Sequence, residues 1–306
     1  MGIVVFGACF VDIKGYPLTQ YIPTGRNVGR VVQVHGGVSR NVVEDIANVE
    51  LRPTFVSVVD QTGTSTDVIE KLKKHKVNTD YMRRTEDGLG TWLAIFDNNG
   101  DVIGSVSKRP DLKEVTQILD EYGDEIISGA DSIVVEIDMD SSQIKQILDL
   151  AEKYGKEVYA VVSNMSLALE RRDLLKRISC IVCNVQEAGM LFSEDYEYYA
   201  FDELEDAVIE RIQAARIPRM VVTMGDQGAV YAQIDGTGGY CPPQNVDVID
   251  TTGAGDAFFA GVAIGLTYGK SLGEACEIGT KLAASVIATK ENVCPRFLPE
   301  EFGIKL

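Results

Sequence analysis

Asp256 follows a glycine-rich turn, DTTGAGDAF at 250–258, and stands where an apolar stretch begins. A helix starting there would present backbone N–H groups that lack intrahelical partners and point along the axis. Glycines let another group come close to those donors, and the helix dipole favours negative charge beside them. Gly253, Ala254 and Gly255 are therefore a candidate anion hole. A carboxylate beside such a hole suggests a division of labour. The N–H groups would stabilise charge on a transferring phosphoryl group, and Asp256 would take the proton from the attacking hydroxyl. Acidic residues are also common in first helical turns for local stability alone, and that reading stands beside the catalytic one. Asp250 and Thr252 precede the turn; their oxygens either hold a cation or cap the turn.

A turn of this kind needs a scaffold of strands and helices, and the chain supplies one. Apolar, β-branched runs predict core strands at Ile3–Phe10, Thr54–Val59, Ser132–Ile137, Glu157–Val162, Cys180–Asn184 and Arg219–Thr223. Their apolar character is continuous rather than alternating, which suits parallel strands buried on both faces. Amphipathic helices are predicted at Ser39–Asn48, Thr66–His75, Ser142–Tyr154 and Glu203–Ala214, with two longer ones over 254–267 and 272–288. A further hairpin joins Met220–Met224 to Ala229–Ile234 through GDQG. This rhythm argues for an α/β doubly wound sheet, mostly parallel and flanked by helices. Residues 14–35 and 89–107 break the rhythm with short strands, the second pair turning at Asn98–Asn99–Gly100. They form either a small inserted β-sheet over the core or ordinary surface hairpins.

Composition narrows the chemistry. With 46 acidic against 29 basic residues the formal charge is −17, which repels nucleic-acid phosphate. No G-x-x-x-x-G-K-[ST] element is present, and no G-x-G-x-x-G follows the first strand, so neither a P-loop enzyme nor a nicotinamide dehydrogenase is expected. Cys180 and Cys183 would point to opposite faces of a strand, a poor half-site for zinc. Reduced buried cysteines, an MGIVVFGACFVDI start without a basic leader, and an AFFAGVAIGLTYG run too short for a membrane span point to a cytoplasmic protein with no membrane partner.

The run DTTGAGDAFFAG, 250–261, resembles the C-terminal signature of the PfkB/ribokinase family of sugar and nucleoside kinases. HGGVSRNVVEDIANV, 35–49, resembles its N-terminal signature; NVQE at 184–187 and VTMGDQGAV at 222–230 are similar to its metal-side and nucleotide-side elements. The resemblance covers nearly the whole chain in the right order. It implies a single ribokinase-like domain over 1–306, with the inserted β pieces as a lid. It also implies ATP-dependent phosphorylation of a hydroxymethyl group, with Asp256 as general base and Gly253–Gly255 as anion hole. Asp12, Gly36, Gly37 and Asn41 would contact the acceptor, Asp12 as the carboxylate closing the first parallel strand. Asn184, Glu187, Thr223, Gly225, Gly228 and Asn292 would face the nucleotide side. Glu187 would reach Mg2+ through water, and Asp250 and Thr252 would match a monovalent-cation site for K+, although Asn292 replaces a glycine common in that loop. Without the resemblance, Asn184 and Glu187 read as a helix cap with a surface acid.

GGVSRN resembles the pseudouridine kinases of that family more than the ribokinases, so pseudouridine leads as acceptor. Ribose or another unphosphorylated sugar is the alternative, and a catalytically silent sugar- or nucleoside-binding protein the next. TWLAIF at 91–96 carries large apolar groups on both faces of a thin sheet, which suggests a homodimer through the lids.

Overall fold

The computed structural model describes residues 2–98 and 102–305, so the expected turn lies outside the described residues except for Asn98. The strands are β1 (Ile3–Phe6), β2 (Phe10–Pro17), β3 (Gly29–Gly36), β4 (Thr54–Val59), β5 (Met82–Arg84), β6 (Gly90–Phe96), β7 (Val102–Lys108), β8 (Ser132–Glu136), β9 (Val158–Val161), β10 (Cys180–Asn184), β11 (Arg219–Thr223), β12 (Ala229–Gln233) and β13 (Gly238–Cys241). The helices are α1 (Val38–Asn48), α2 (Gly63–Lys74), α3 (Glu114–Ser128), α4 (Ser141–Tyr154), α5 (Met165–Ala168), α6 (Val185–Phe192), α7 (Phe201–Ala215), α8 (Ala254–Thr267) and α9 (Leu272–Ile287).

The core is a nine-stranded sheet in the order β13-β12-β11-β10-β9-β8-β1-β4-β5. From β11 to β5 it is parallel, and β12 and β13 add an antiparallel edge. Alternate side chains of the central strands enter two cores. Val5, Val134 and Cys180 pack under α1, α8 and α9, while Val4, Val135 and Cys183 pack under α3, α4 and α7. Cys180 and Cys183 thus sit on opposite faces, both buried and free. The AFFAGVAIGL run lies inside α8 and is buried on every side, as a helix apolar all round must be. No helix among the described residues is long and apolar enough to cross a membrane.

A second sheet, β3-β2-β6-β7, stands over the core. The inserted pieces therefore do form one sheet, but its boundaries differ from the expected 14–35 and 89–107. The predicted strand Ile3–Phe10 is two strands in two sheets. β1 stops at Phe6 because the next backbone groups are taken by side chains: Gly7 O accepts from Ser57 Oγ (2.6 Å) and Ala8 N donates to Glu136 Oε2 (3.1 Å). The chain then leaves the core sheet, and Phe10 opens the lid. Asp12 consequently does not close a parallel core strand; it sits within β2, opposite Val34 and Trp92. Helix α3, between the lid and β8, was not expected.

Candidate functional site

The strand order reverses direction at β1 and β8, where consecutive crossovers depart to opposite sides, and open α/β sheets bind ligands beyond such a point. Here the Gly7–Cys9 turn, Glu136 at the end of β8 and the start of α1 meet. Glu136 is buried and also accepts from Ser39 Oγ at 2.7 Å.

Asp256 lies in the first turn of α8, partly open to the cleft. Gly253 caps that helix with φ 85°, a conformation other residues enter at a cost, and a Cβ there would collide with the Asn292 carbonyl. The N–H of Ala254 is aimed at Thr251 O (3.3 Å). Those of Gly253, Gly255 and Asp256 find no partner among the described residues and are the donors left for an anion. Asp256 Oδ2 accepts from Asn41 Nδ2 at 2.7 Å. Asn41 is fixed in turn: its Oδ1 accepts from Arg40 (2.6 Å) and from Asn292 Nδ2 (3.3 Å), and both donors also hold the His35 carbonyl. Arg40 is buried and ion-paired with Glu44, which Lys71 reaches from the rim at 3.1 Å. Burial pushes the Asp256 carboxyl up to about 7; the Asn41 bond and Arg40 pull it down, and Asp12 pushes it further up. That places the group near the point where it can take and return a proton.

Asp12 enters from the lid. Its carboxyl fills the space above Gly36, where a Cβ would come within 2.5 Å of Oδ2 and push the carboxyl aside. Burial raises the Asp12 pKa against the opposing pull of Lys14 and Arg40. Asp12 over Gly36, Asn41 on Asp256 and the effect of Asp12 on Asp256 thus bring the lid, α1 and α8 together, with Asn292 bonded to Asn41 on the same side.

On the other side of the glycine turn lies a cleft of about 380 Å³, lined by Thr223, Gly225, Gly228, Val246, Phe258 and Ile287 among others. Asn184 and Glu187 stand at the neighbouring end of β10 as a capping box: Glu187 N donates to Asn184 Oδ1 (2.9 Å), and Asn184 N to Glu187 Oε2 (2.8 Å). This is the helix cap, with one Glu187 oxygen left over. Asp250 Oδ1 accepts from Thr252 N (2.9 Å), a side-chain-capped turn. Among the described residues no cluster of three or more His, Cys, Asp or Glu forms a metal cage. The donors present suit Mg2+ carried on phosphates with a protein carboxylate reached through water.

Sequence reading missed several residues here. Glu136 and Asp138 sit in EIDMD immediately after a buried strand, a position at the carboxyl end of a parallel strand that was the available signal. Arg109 is paired with Asp138 at 2.7 Å and lies 3.9 Å from Glu136, tying the end of the lid to β8. Lys14 is buried on the lid, for which the sequence carried no signal.

Comparison with known proteins matches this architecture. The model of the pfkB family carbohydrate kinases covers residues 2–295. A guanosine-inosine kinase of Exiguobacterium acetylicum is 33% identical over 95% of both chains. A pseudouridine kinase of Escherichia coli (strain K12) is 25% identical over 85% of this chain and 82% of its own. Arabidopsis thaliana ribokinase, solved with ribose and ATP, superposes with a TM-score of 0.86 over 98% of this chain and 97% of its own at 19% identity, a likeness of fold. The chain belongs to the pfkB family of carbohydrate kinases and is an ATP-dependent kinase of a sugar or nucleoside hydroxyl.

Proposed function

We propose that this kinase phosphorylates the primary hydroxyl of a nucleoside, with guanosine and inosine ahead of pseudouridine. The observation that carries the nucleoside over a bare sugar is the aromatic face of the lid. Tyr16, Trp92 and Phe96 share the face of Asp12, Tyr16 and Phe96 stacked at 4.9 Å and Trp92 set edge-on to Phe96 at 6.3 Å. Such a wall suits a flat base. The greater likeness to a guanosine-inosine kinase moves the 6-oxopurines ahead of pseudouridine, which the sequence motif had favoured.

In this reading Asp12 accepts from the ribose hydroxyls, and Gly36 and Gly37 let the sugar lie against the backbone. Asn41 holds the Asp256 carboxylate towards the reacting hydroxyl. Asp256 takes that proton as the acceptor oxygen attacks the γ-phosphorus of ATP; the bond to the β-phosphate oxygen breaks and ADP leaves. The N–H groups of Gly253, Gly255 and Asp256 receive the charge of the transferring group. Thr223, Gly225 and Gly228 face the nucleotide, while Asn184 and Glu187 lie on its phosphate side. Glu187 is the carboxylate that would hold Mg2+ through water, and the ion when bound would supply charge neutralisation at the phosphates. Asp250 and Thr252, with carbonyls of the 289–296 loop, offer an oxygen set for K+. A homodimer through the lids is supported by exposed Val31, Leu93 and Val106 on the sheet face opposite Asp12.

The test is ADP release with ATP, Mg2+ and K+ against guanosine, inosine, pseudouridine, adenosine, ribose and fructose. A nucleoside turned over well above background supports the reading. Ribose or fructose ahead of every nucleoside rejects it, and tight nucleoside binding without turnover makes the chain a silent binding protein. Sedimentation as 33.4 kDa particles at micromolar concentration rejects the dimer.

A further inference from the structure

Lys14 is 8% exposed, yet among the described residues its side chain makes no hydrogen bond and no ion pair. Lysine is rarely covered to this extent without a hydrogen-bonding partner, and here its charge acts on the neighbouring Asp12. The pleat turns Lys14 to the same face as Asp12 and Tyr16, two residues to either side. Register with β6 puts Trp92, Ala94 and Phe96 on that face as well. The face looks into the cleft: Asp12 is near enough to raise the pKa of Asp256. Two strand residues span about 7 Å, so Lys14 lies farther out along β2, where an acceptor seated on Asp12 would extend its base.

Resting on the nucleoside reading, we propose that Lys14 is a specificity-determining residue of the acceptor site. Its ammonium donates to a carbonyl oxygen on the base, whose ring lies against the Trp92–Phe96–Tyr16 wall. An ammonium has three donors and no acceptor. A base with an exocyclic oxygen satisfies it, whereas one with an amine there sets donor against donor and leaves a buried charge unpaired. The site therefore selects oxo bases such as hypoxanthine and guanine and rejects adenine. Arg30, whose guanidinium lies 4.9 Å from the Tyr16 ring centroid, backs the far end of the wall.

The test is kcat/KM for inosine and adenosine with wild type, Lys14→Met and Lys14→Gln. Wild type should prefer inosine. Lys14→Met should lower inosine about 10- to 100-fold and leave adenosine within about threefold, as loss of one charged hydrogen bond predicts. Lys14→Gln, which keeps a donor, should recover part of the inosine rate. The ratio is read within each variant, so partial misfolding does not mimic it. Adenosine preferred by wild type, or an inosine/adenosine ratio unchanged by Lys14→Met, overturns the assignment while leaving the nucleoside kinase standing. Fructose 6-phosphate turned over faster than inosine by wild type and lost in Lys14→Met makes Lys14 a phosphate ligand and also overturns it. If wild type phosphorylates ribose but no nucleoside, the nucleoside reading itself has failed, and the Lys14 assignment falls with it.

Discussion

The two sides of the glycine turn are built from different materials. On the acceptor side, side chains hold one another: Asp256 on Asn41, Asn41 on Arg40 and Asn292, Arg40 on Glu44. On the proposed nucleotide side, the cleft is lined mainly by apolar side chains and glycines, with Val246, Phe258, Ala284 and Ile287 among them, and by fewer polar residues such as Thr223, Asp226, Gln244 and Thr280. A network of buried polar groups has few satisfactory arrangements, and changing one member leaves another unpaired. An apolar cleft recognises shape and tolerates small changes. In the proposed mechanism, the side that must choose one acceptor and place one proton is thus the polar, networked one.

Four substitutions and a pH profile can break or sharpen that contrast. The largest effect is expected at Arg40→Met, which leaves Glu44 buried without its main partner; unfolding in urea should show a loss of about 3–5 kcal/mol. A loss under about 1 kcal/mol would mean that Lys71 alone satisfies Glu44. Asp256→Asn should lower kcat by about 100-fold or more while acceptor and ATP still bind, as calorimetry would show; near-normal turnover removes Asp256 as the base. Asp12→Ala should weaken acceptor binding by about 2 kcal/mol with little change for ATP. Weakened ATP with an unchanged acceptor would place Asp12 on the wrong side.

The pH profile follows from the sign of the shift. A base must be ionised to act, and Asp256 is raised to about 7. In the free enzyme kcat/KM should therefore fall about tenfold per pH unit below a midpoint near 7. A profile flat down to pH 5 would assign the proton to another group. The smallest effect is expected across the turn. Thr223→Val removes a hydroxyl that among the described residues reaches only the Cys183 carbonyl, at 3.5 Å, and should change KM for ATP by less than about threefold. A change above tenfold would show that the nucleotide side also reads its ligand through side chains.

Legibility followed locality. Gly253 and Asp256 could be read because a glycine turn, a helix start and an acid in its first turn are contiguous in sequence. The core strands were legible because strands buried on both faces are apolar throughout, and the helices because their stripes repeat within a few turns. The break after Phe6 was not legible. Apolar residues continue through Phe10, and what stops β1 is the pull of Ser57 and Glu136, 50 and 128 residues away. Asp12 was picked as an acceptor residue yet placed on the wrong sheet for that reason. Asn292 looked like a departure from a loop pattern; folded, its amide joins Asn41 to the His35 carbonyl.

By itself the sequence determined the layered α/β class, the position of the glycine turn at the start of a helix and the identity of the acid in its first turn, because each depends on neighbours along the chain. The tertiary structure decided which carboxylate meets which donor. It set Asn41 against Asp256 across 215 residues, Asp12 over Gly36, Arg109 on Asp138 and Lys14 buried on the lid. Those pairings depend on burial and on approach through space, and neither leaves a periodic trace in the order of residues.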